Sequence, residues 1–150
     1  MIDRFVEIYN RLQQIHVLLD DGDRHALNDV ELSSPQYHLL LHLYTKGGER
    51  GLMITEIANL LICSRSNATR LVQRLEQQEL VQLNRNEEDR RLVLVTLTEL
   101  GVERYVRASA LHRAAVHRRF ESLPVELLEQ LEEGSRVFVQ TLEEDLQSLE

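Results

Sequence analysis

The chain has 150 residues, of which 43% are hydrophobic and 28% are charged. This length favours one domain with a real core, and the apolar runs fall far short of the roughly 20 residues that span a bilayer. Asp3 stands where a secretory signal peptide carries positive charge, and one cysteine, Cys63, cannot form an intramolecular disulfide. We therefore expect a cytoplasmic protein with no membrane partner.

The formal net charge of -8 argues against nonspecific adhesion to nucleic acid or anionic lipid. This charge is unevenly distributed, because both ends of the chain are acidic while residues 50–75 contain Glu56 as their only acid. The basic residues of this segment are Arg50, Arg65, Arg70 and Arg74. A basic segment inside an acidic chain is a first indication of function.

Helical periodicity predicts the first two elements. The first helix carries an apolar stripe, typical of a helix that packs on another, at Phe5, Ile8, Leu12, Ile15 and Leu19. We expect it to end before Asp20. A second helix is predicted with Ser34 as its N-cap and Pro35 in its first position, ending at Gly47-Gly48.

A helix-turn-helix is predicted between residues 54 and 78. Its first helix covers residues 54–61, with Ala58 as the small residue at the helix crossing, and its second begins after the N-cap Ser64. The second helix turns Ala68, Leu71, Val72 and Leu75 inward. At about 100° per residue, the outward face then consists of Ser66, Arg70, Gln73 and Gln77, flanked by Asn67, Thr69 and Arg74. Arginine pairs with guanine and the amide side chains pair with adenine, so this face suits base-edge recognition; its alternative meaning is an ordinary solvated helix face.

A hairpin follows immediately. Residues 80–83 and 92–97 are rich in strand formers and flank a polar stretch, and we find no other sheet. The ribbon carries arginines that suit contacts with a nucleic-acid backbone or minor groove, namely Arg85, Arg90 and Arg91. We expect Asp89 to pair with a neighbouring arginine and stiffen the tip. A helix-turn-helix with such a ribbon is a winged helix. Helical patterns from residue 98 to about 120 and from residue 124 onward complete the chain.

The segment 89–98 fits the pattern D-x-R-x-x-x-V-x-L-T at every fixed position, and Gly101 continues it as L-T-x-x-G. With Ser34-Pro35-Gln36 and the segment 64–72, these residues make the chain resemble the MarR family of bacterial transcription regulators over residues 32–101. The predicted fold class is mainly α with a small β-hairpin wing, a winged helix-turn-helix with long terminal dimerisation helices. We divide one intertwined unit into an N-terminal dimerisation helix (1–31), a DNA-binding lobe (32–100) and C-terminal dimerisation helices (101–150).

The resemblance implies a homodimer that binds double-stranded DNA at a pseudo-palindrome, as a ligand-responsive repressor. The DNA-binding residues would be Ser64, Arg65, Ser66, Asn67, Thr69, Arg70, Gln73, Arg74, Arg85, Arg90 and Arg91. Dimerisation would use Phe5, Ile8, Leu12, Val139, Leu142, Leu146 and Leu149, whose stripes exceed what one lobe can bury. Two residues depart from the family pattern: Glu79 replaces the glycine that ends the recognition helix, and Leu83 replaces a common arginine.

The resemblance also implies a crevice for a small aromatic or anionic effector. Its candidate lining residues are Tyr9, His16, Tyr37, His38, His42 and Tyr105. The alternative is that these amphipathic side chains simply form the edges of the core.

Other chemistry is weakly indicated. His38 and His42 are spaced to share a metal and His112 and His117 lie on another helix, but partly buried histidines are the favoured interpretation, and we predict no metal or cofactor. A structural role is favoured for Cys63 over redox sensing. No phosphate loop or nucleophile motif is present, which argues against an enzyme. A winged helix kept for protein contact should show apolar anchors on its outward face, and this one shows polar residues.

Overall fold

The computed structural model describes residues 3–85 and 92–149. Within these ranges the elements are α1 (Arg4–Leu27), α2 (Ser34–His42), β1 (Leu52–Met53), α3 (Ile54–Leu60), α4 (Arg65–Gln77), β2 (Val81–Arg85), β3 (Val93–Leu97), α5 (Glu99–Phe120) and α6 (Val125–Gln147). The chain forms two compact units, Met1–Ala115 and Val116–Glu150. No helix in the described ranges has the length and hydropathy needed to cross a membrane.

Helix α1 is longer than predicted, and the expectation that it ends before Asp20 is wrong. Its acidic segment stays helical because the Arg24 guanidinium lies 3.6 Å from the Asp20 carboxylate and 3.3 Å from that of Asp21. Such pairs on one helix face each stabilise it by a few tenths of a kcal/mol, of order 0.2–0.5. The last residue, Leu27, is fully buried, so core packing holds the final turn in place.

Helix α2 begins with a capping box one residue earlier than predicted. Ser33, rather than Ser34, is the N-cap: its hydroxyl accepts from the Gln36 N–H at 3.4 Å, and the Gln36 side chain accepts from the Ser33 N–H at 2.8 Å. Ser34 and Pro35 lie in the first turn. A π-helical turn, Leu43–Gly47, follows α2, and the predicted stop at Gly47-Gly48 is confirmed.

The sheet has three strands, in the order β1-β3-β2, so the prediction of a hairpin alone missed β1. The hairpin itself is confirmed, with Val81 opposite Leu97 and Arg85 opposite Val93. Strand β1 pairs antiparallel with β3 through Leu52 and Val95. Gly51, at φ +82°, precedes it where a Cβ would lie 2.5 Å from the Val95 carbonyl oxygen. Only glycine permits this close approach.

The core lies under the helix-turn-helix. The buried positions predicted for α4 are largely confirmed, since Ala68, Val72 and Leu75 are buried and Leu71 is half-buried. They pack in one cluster with Leu39 and Leu40 of α2, Ile57 of α3, Val95 of β3 and Tyr105 of α5. Burial of this face fixes which residues of α4 point to solvent.

Two helices carry apolar side chains that the single chain leaves uncovered. In α1, Leu27 alone is classed as buried and Phe5 is 80% exposed. In α6 none of the described residues is buried, and Leu142 and Leu146 are 45% and 60% exposed. Exposed apolar stripes of this extent are typical of interfaces.

Candidate nucleic-acid interface

Helix α4 is held by its N-cap and by its buried face. The Ser64 hydroxyl accepts a hydrogen bond from the Asn67 N–H at 3.2 Å, as predicted for the N-cap. Thr69 is half-buried and its hydroxyl donates to the Arg65 carbonyl at 2.9 Å within the same helix. The start of α4 is therefore stabilised by short side chains, and none of its long polar side chains takes part in these hydrogen bonds.

The remaining polar residues of α4 point to solvent together. The structure leaves exposed Arg65, Ser66, Asn67, Arg70, Gln73, Arg74 and Gln77. Arg50 is paired with Glu56 at 3.4 Å, whereas no acid within residues 3–85 and 92–149 pairs with Arg65, Arg70 or Arg74. The exposed face of α4 therefore presents free guanidinium and amide donors.

The ribbon of the wing follows α4 directly. Across it, the Asn84 amide donates to the Thr96 hydroxyl at 2.8 Å, and Arg85 is exposed at the end of β2. Leu83, which replaces a common arginine of the family, is 37% exposed. The predicted tip residues Asp89, Arg90 and Arg91 lie outside the described residues.

Non-glycine residues with left-handed backbone lie on both sides of α4. Ile62, in the turn, has φ 50° and is 89% exposed, and Glu79, just after α4, has φ 59°. Both positions commonly take glycine, because a Cβ is disfavoured there. Cys63 is half-buried and packs against the core.

A cavity of about 700 Å³ lies between α1, α2 and the helix-turn-helix. It brings together three of the predicted effector-site residues, His16, His38 and His42, with Arg70 and Arg74 of α4. Sequence reasoning missed its other walls, which include Asp20, Leu60, Leu61, Ile62, Cys63 and Leu71. The helix-turn-helix pattern predicted where Leu60, Leu61 and Cys63 lie, but it did not indicate that they line a cavity.

The three predicted tyrosines do not line this cavity. Tyr37 and Tyr105 are buried with their rings stacked at 6.2 Å, so they belong to the core, and Tyr9 is 59% exposed on α1. Burial raises the pKa of the Tyr37 phenol, although a hydrogen bond with Ser109 opposes the shift. The tyrosines of α2 and α5 therefore pack in the core instead of lining the cavity.

The histidines of the cavity are held in different ways. The Nδ1 atom of His38 lies 2.8 Å from the Ser34 carbonyl oxygen, to which the ring donates. Burial, aided by the charges of Lys46 and His38, lowers the pKa of His42 below its ordinary value. Within the described ranges no three His, Cys, Asp or Glu residues are arranged to hold a metal ion.

A helix-turn-helix whose second helix is followed by an antiparallel ribbon defines a winged helix-turn-helix protein, and the predicted fold class is confirmed. The MarR family model matches residues 32–93, the same part of the chain that builds this unit. Over these residues the chain is similar to MarR family regulators, and solved structures of that family share its fold.

Individual relatives and solved structures show the same similarity. The chain is 38% identical over 78 residues to the HTH-type transcriptional regulator YfiV of Bacillus subtilis (strain 168), a match that covers 52% of this chain and 47%, about half, of YfiV. It is 26% identical over 132 residues to the HTH-type transcriptional repressor IacR of Pseudomonas putida, covering 88% of this chain and 77% of IacR. Sco3205, a MarR family regulator of Streptomyces coelicolor solved in complex with DNA, superposes with a TM-score of 0.82 at 26% identity, covering 95% and 90% of the two chains.

Proposed function

We propose that the protein is a sequence-specific, double-stranded-DNA-binding repressor that acts as a homodimer and responds to a small ligand. The exposed face of α4 carries this proposal. Its guanidinium and amide groups are the side chains that read guanine and adenine edges in the major groove. No acid of the described residues pairs with the arginines of this face. The face lies next to strand β2, which ends at Arg85.

The roles of the individual residues follow from their positions. Arg70 and Gln73 are central on the exposed face and read bases, whereas Arg65 and Arg74 lie nearer its edges and contact phosphates. The wing adds contacts from Arg85 and from the tip residues Arg90 and Arg91. The structure of Sco3205 in complex with DNA, which shares this fold, supports DNA as the ligand.

A dimer is supported by the uncovered apolar faces. Phe5 and Ile8 of α1 are exposed in the single chain, and so are Val139, Leu142, Leu146 and Leu149 of α6. A second copy that covered these stripes would present two α4 helices to the DNA, and two half-sites about one helical turn apart would then match a pseudo-palindrome. Repression is supported by the name of the relative IacR.

Ligand response is supported by the cavity beside α4. Its volume of about 700 Å³ suits a small organic molecule. Leucines 60 and 61 give it apolar walls, while Arg70 and Arg74 give it cationic donors that suit an aromatic carboxylate. A ligand that engaged these arginines would withdraw them from DNA, so binding of ligand and of DNA would oppose each other.

Selection of bound duplexes from a random-sequence pool tests the proposal. We expect a recovered site with two-fold symmetry, bound more tightly than a scrambled duplex of the same composition in fluorescence anisotropy at two salt concentrations. A variant with Ser66, Arg70 and Gln73 changed to alanine should lose this preference while it stays folded. Equal affinity for both duplexes at both salt concentrations would reject sequence-specific binding.

A further inference from the structure

A single hydroxyl joins the end of α4 to the start of α5. Thr98 stands between β3 and α5, and its Oγ1 donates to the Glu79 carbonyl at 2.6 Å. The same oxygen accepts from the Gly101 N–H at 2.9 Å, which is the N-cap interaction of α5. The Thr98 N–H also donates to the Leu80 carbonyl at 3.1 Å. Both hydrogen-bonding roles of the hydroxyl are therefore used.

The end of α4 is a defined structure. The Leu80 N–H donates to the Leu75 carbonyl at 2.9 Å, and the Glu79 N–H donates to that of Glu76 at 2.9 Å. With Glu79 in the left-handed region, this is a Schellman motif. Thr98 therefore bonds the one residue whose backbone sets the direction in which the chain leaves α4.

The first turn of α5 rests directly on this exit. A Cβ built on Gly101 would lie 1.9 Å from the Leu80 carbonyl oxygen and 2.9 Å from its carbonyl carbon. No side chain fits there without moving the backbone of Leu80, which is fully buried. The close backbone contact at Gly101 and the hydrogen bonds of the Thr98 hydroxyl thus fix the position of α4 relative to α5.

We propose that Thr98 is a positioning residue for DNA recognition, which with Gly101 forms a joint that sets the orientation of α4 relative to α5. This inference rests on the DNA-binding function proposed above. Base contacts from Arg70 and Gln73 need a precise orientation of α4, whereas phosphate contacts from long arginines tolerate small rotations. Loss of the joint therefore lowers sequence preference more than it lowers affinity for DNA in general.

The test compares threonine variants on two duplexes. One is the duplex that the wild type recovers from the random pool, and the other is its scrambled counterpart. Thr98→Val removes the hydroxyl at nearly constant volume, and Thr98→Ser retains it. The matched control is Thr45→Val, because the Thr45 hydroxyl donates at 2.7 Å only to Leu41, in the preceding turn of its own segment.

We expect Thr98→Val to lower the ratio of the two affinities by about tenfold or more, because a rotated α4 loses a side-chain contact with a base edge. Its affinity for the scrambled duplex should stay within about twofold of the wild type. Thr98→Ser and Thr45→Val should keep the wild-type ratio. Circular dichroism at the assay temperature establishes that each variant is folded.

Thr98→Asp keeps the test decisive if the valine variant unfolds. Its carboxylate still accepts from the Gly101 N–H and so caps α5, but it cannot donate to the Glu79 carbonyl. We expect the same loss of preference. The proposal that Thr98 positions α4 would be overturned by a folded Thr98→Val or Thr98→Asp variant that keeps the wild-type ratio of affinities. An equal loss of affinity for both duplexes would overturn it as well. A wild type without preference would instead reject the DNA-binding proposal, before any variant is compared.

Discussion

Arg70 is the side chain that bears most directly on base recognition. It is exposed at the middle of α4, and it also lines the cavity on one side of that helix. The same guanidinium therefore belongs to two candidate binding surfaces. This position makes Arg70 the residue at which the DNA and ligand proposals meet.

We predict that Arg70→Ala weakens binding to the selected duplex by about 1–3 kcal/mol and relaxes the preference at one base pair of each half-site. Anisotropy titrations on duplexes with single base changes measure this. Arg107→Ala, which removes an exposed arginine of α5, is the control and should bind like the wild type. A uniform loss on all duplexes would assign Arg70 to a phosphate.

His42 makes stability depend on pH. Because its pKa in the folded protein is lowered, the unfolded chain binds the proton more readily. The neutral His42 ring makes its full contribution to the free energy of unfolding above the ordinary histidine pKa, about 6.5. This contribution is lost as the pH falls below that value. We expect the free energy of unfolding to fall between about pH 7 and pH 5, and to fall less in His42→Gln. Urea denaturation across this range, with the exposed His117→Gln as control, measures it; an identical pH dependence in His42→Gln and the wild type would contradict the prediction.

At the scale of elements, the turns at both ends of α4 store backbone strain. Ile62 is the clearer case, since a β-branched residue is especially disfavoured at φ 50°. Its side chain is 89% exposed, so removing it sacrifices little packing. The turn can therefore be improved without disturbing the core.

We predict that Ile62→Gly raises the free energy of unfolding by about 0.5–1 kcal/mol, the relief of roughly 1–2 kcal/mol of strain less the added freedom of the unfolded chain. The denaturant midpoint is the measurement. Ile62→Ala keeps the Cβ and should gain much less. A loss of stability in the glycine variant would show that Ile62 makes contacts worth more than its strain.

Periodicity and capping were enough to predict the helix-turn-helix, because Ala68, Val72 and Leu75 recur at helical spacing and Ser64 caps the helix. Local signals failed where distant contacts decide. Burial of Leu27 extends α1 through an acidic stretch that contains Gly22, and β1 has two residues, too few to show alternation. The outward face of α4 followed from its buried face, whereas the cavity walls depend on how four helices meet, which the sequence does not display.

At the scale of the whole molecule, charge and apolar surface are distributed for different tasks. The chain carries a net charge of -8, yet α4 contains three arginines and Glu76 as its only acid. If the protein binds DNA as proposed, the acids outside α4 repel the phosphates and the arginines of α4 attract them. Binding should therefore weaken steeply with salt while remaining confined to one face.

We predict that changing Leu142 and Leu146 together to glutamine raises the dissociation constant of the proposed dimer by at least about a hundredfold, because each leucine that the dimer buries contributes about 1.5–3 kcal/mol. DNA affinity should fall with it, since two half-sites must be engaged together. Sedimentation velocity measures the first effect and anisotropy the second. Glu144→Gln, on another face of α6, is the control; an unchanged dimer in the leucine variant would refute this use of the stripe.

Strand β1 makes the ribbon continuous with the first helix of the helix-turn-helix, since Leu52 pairs with β3 and α3 begins at Ile54, directly after β1. A one-residue insertion between Gly51 and Ile54 would shift this pairing and turn Leu52 away from the core. The ribbon and the first helix of the helix-turn-helix therefore cannot change length independently where β1 joins them.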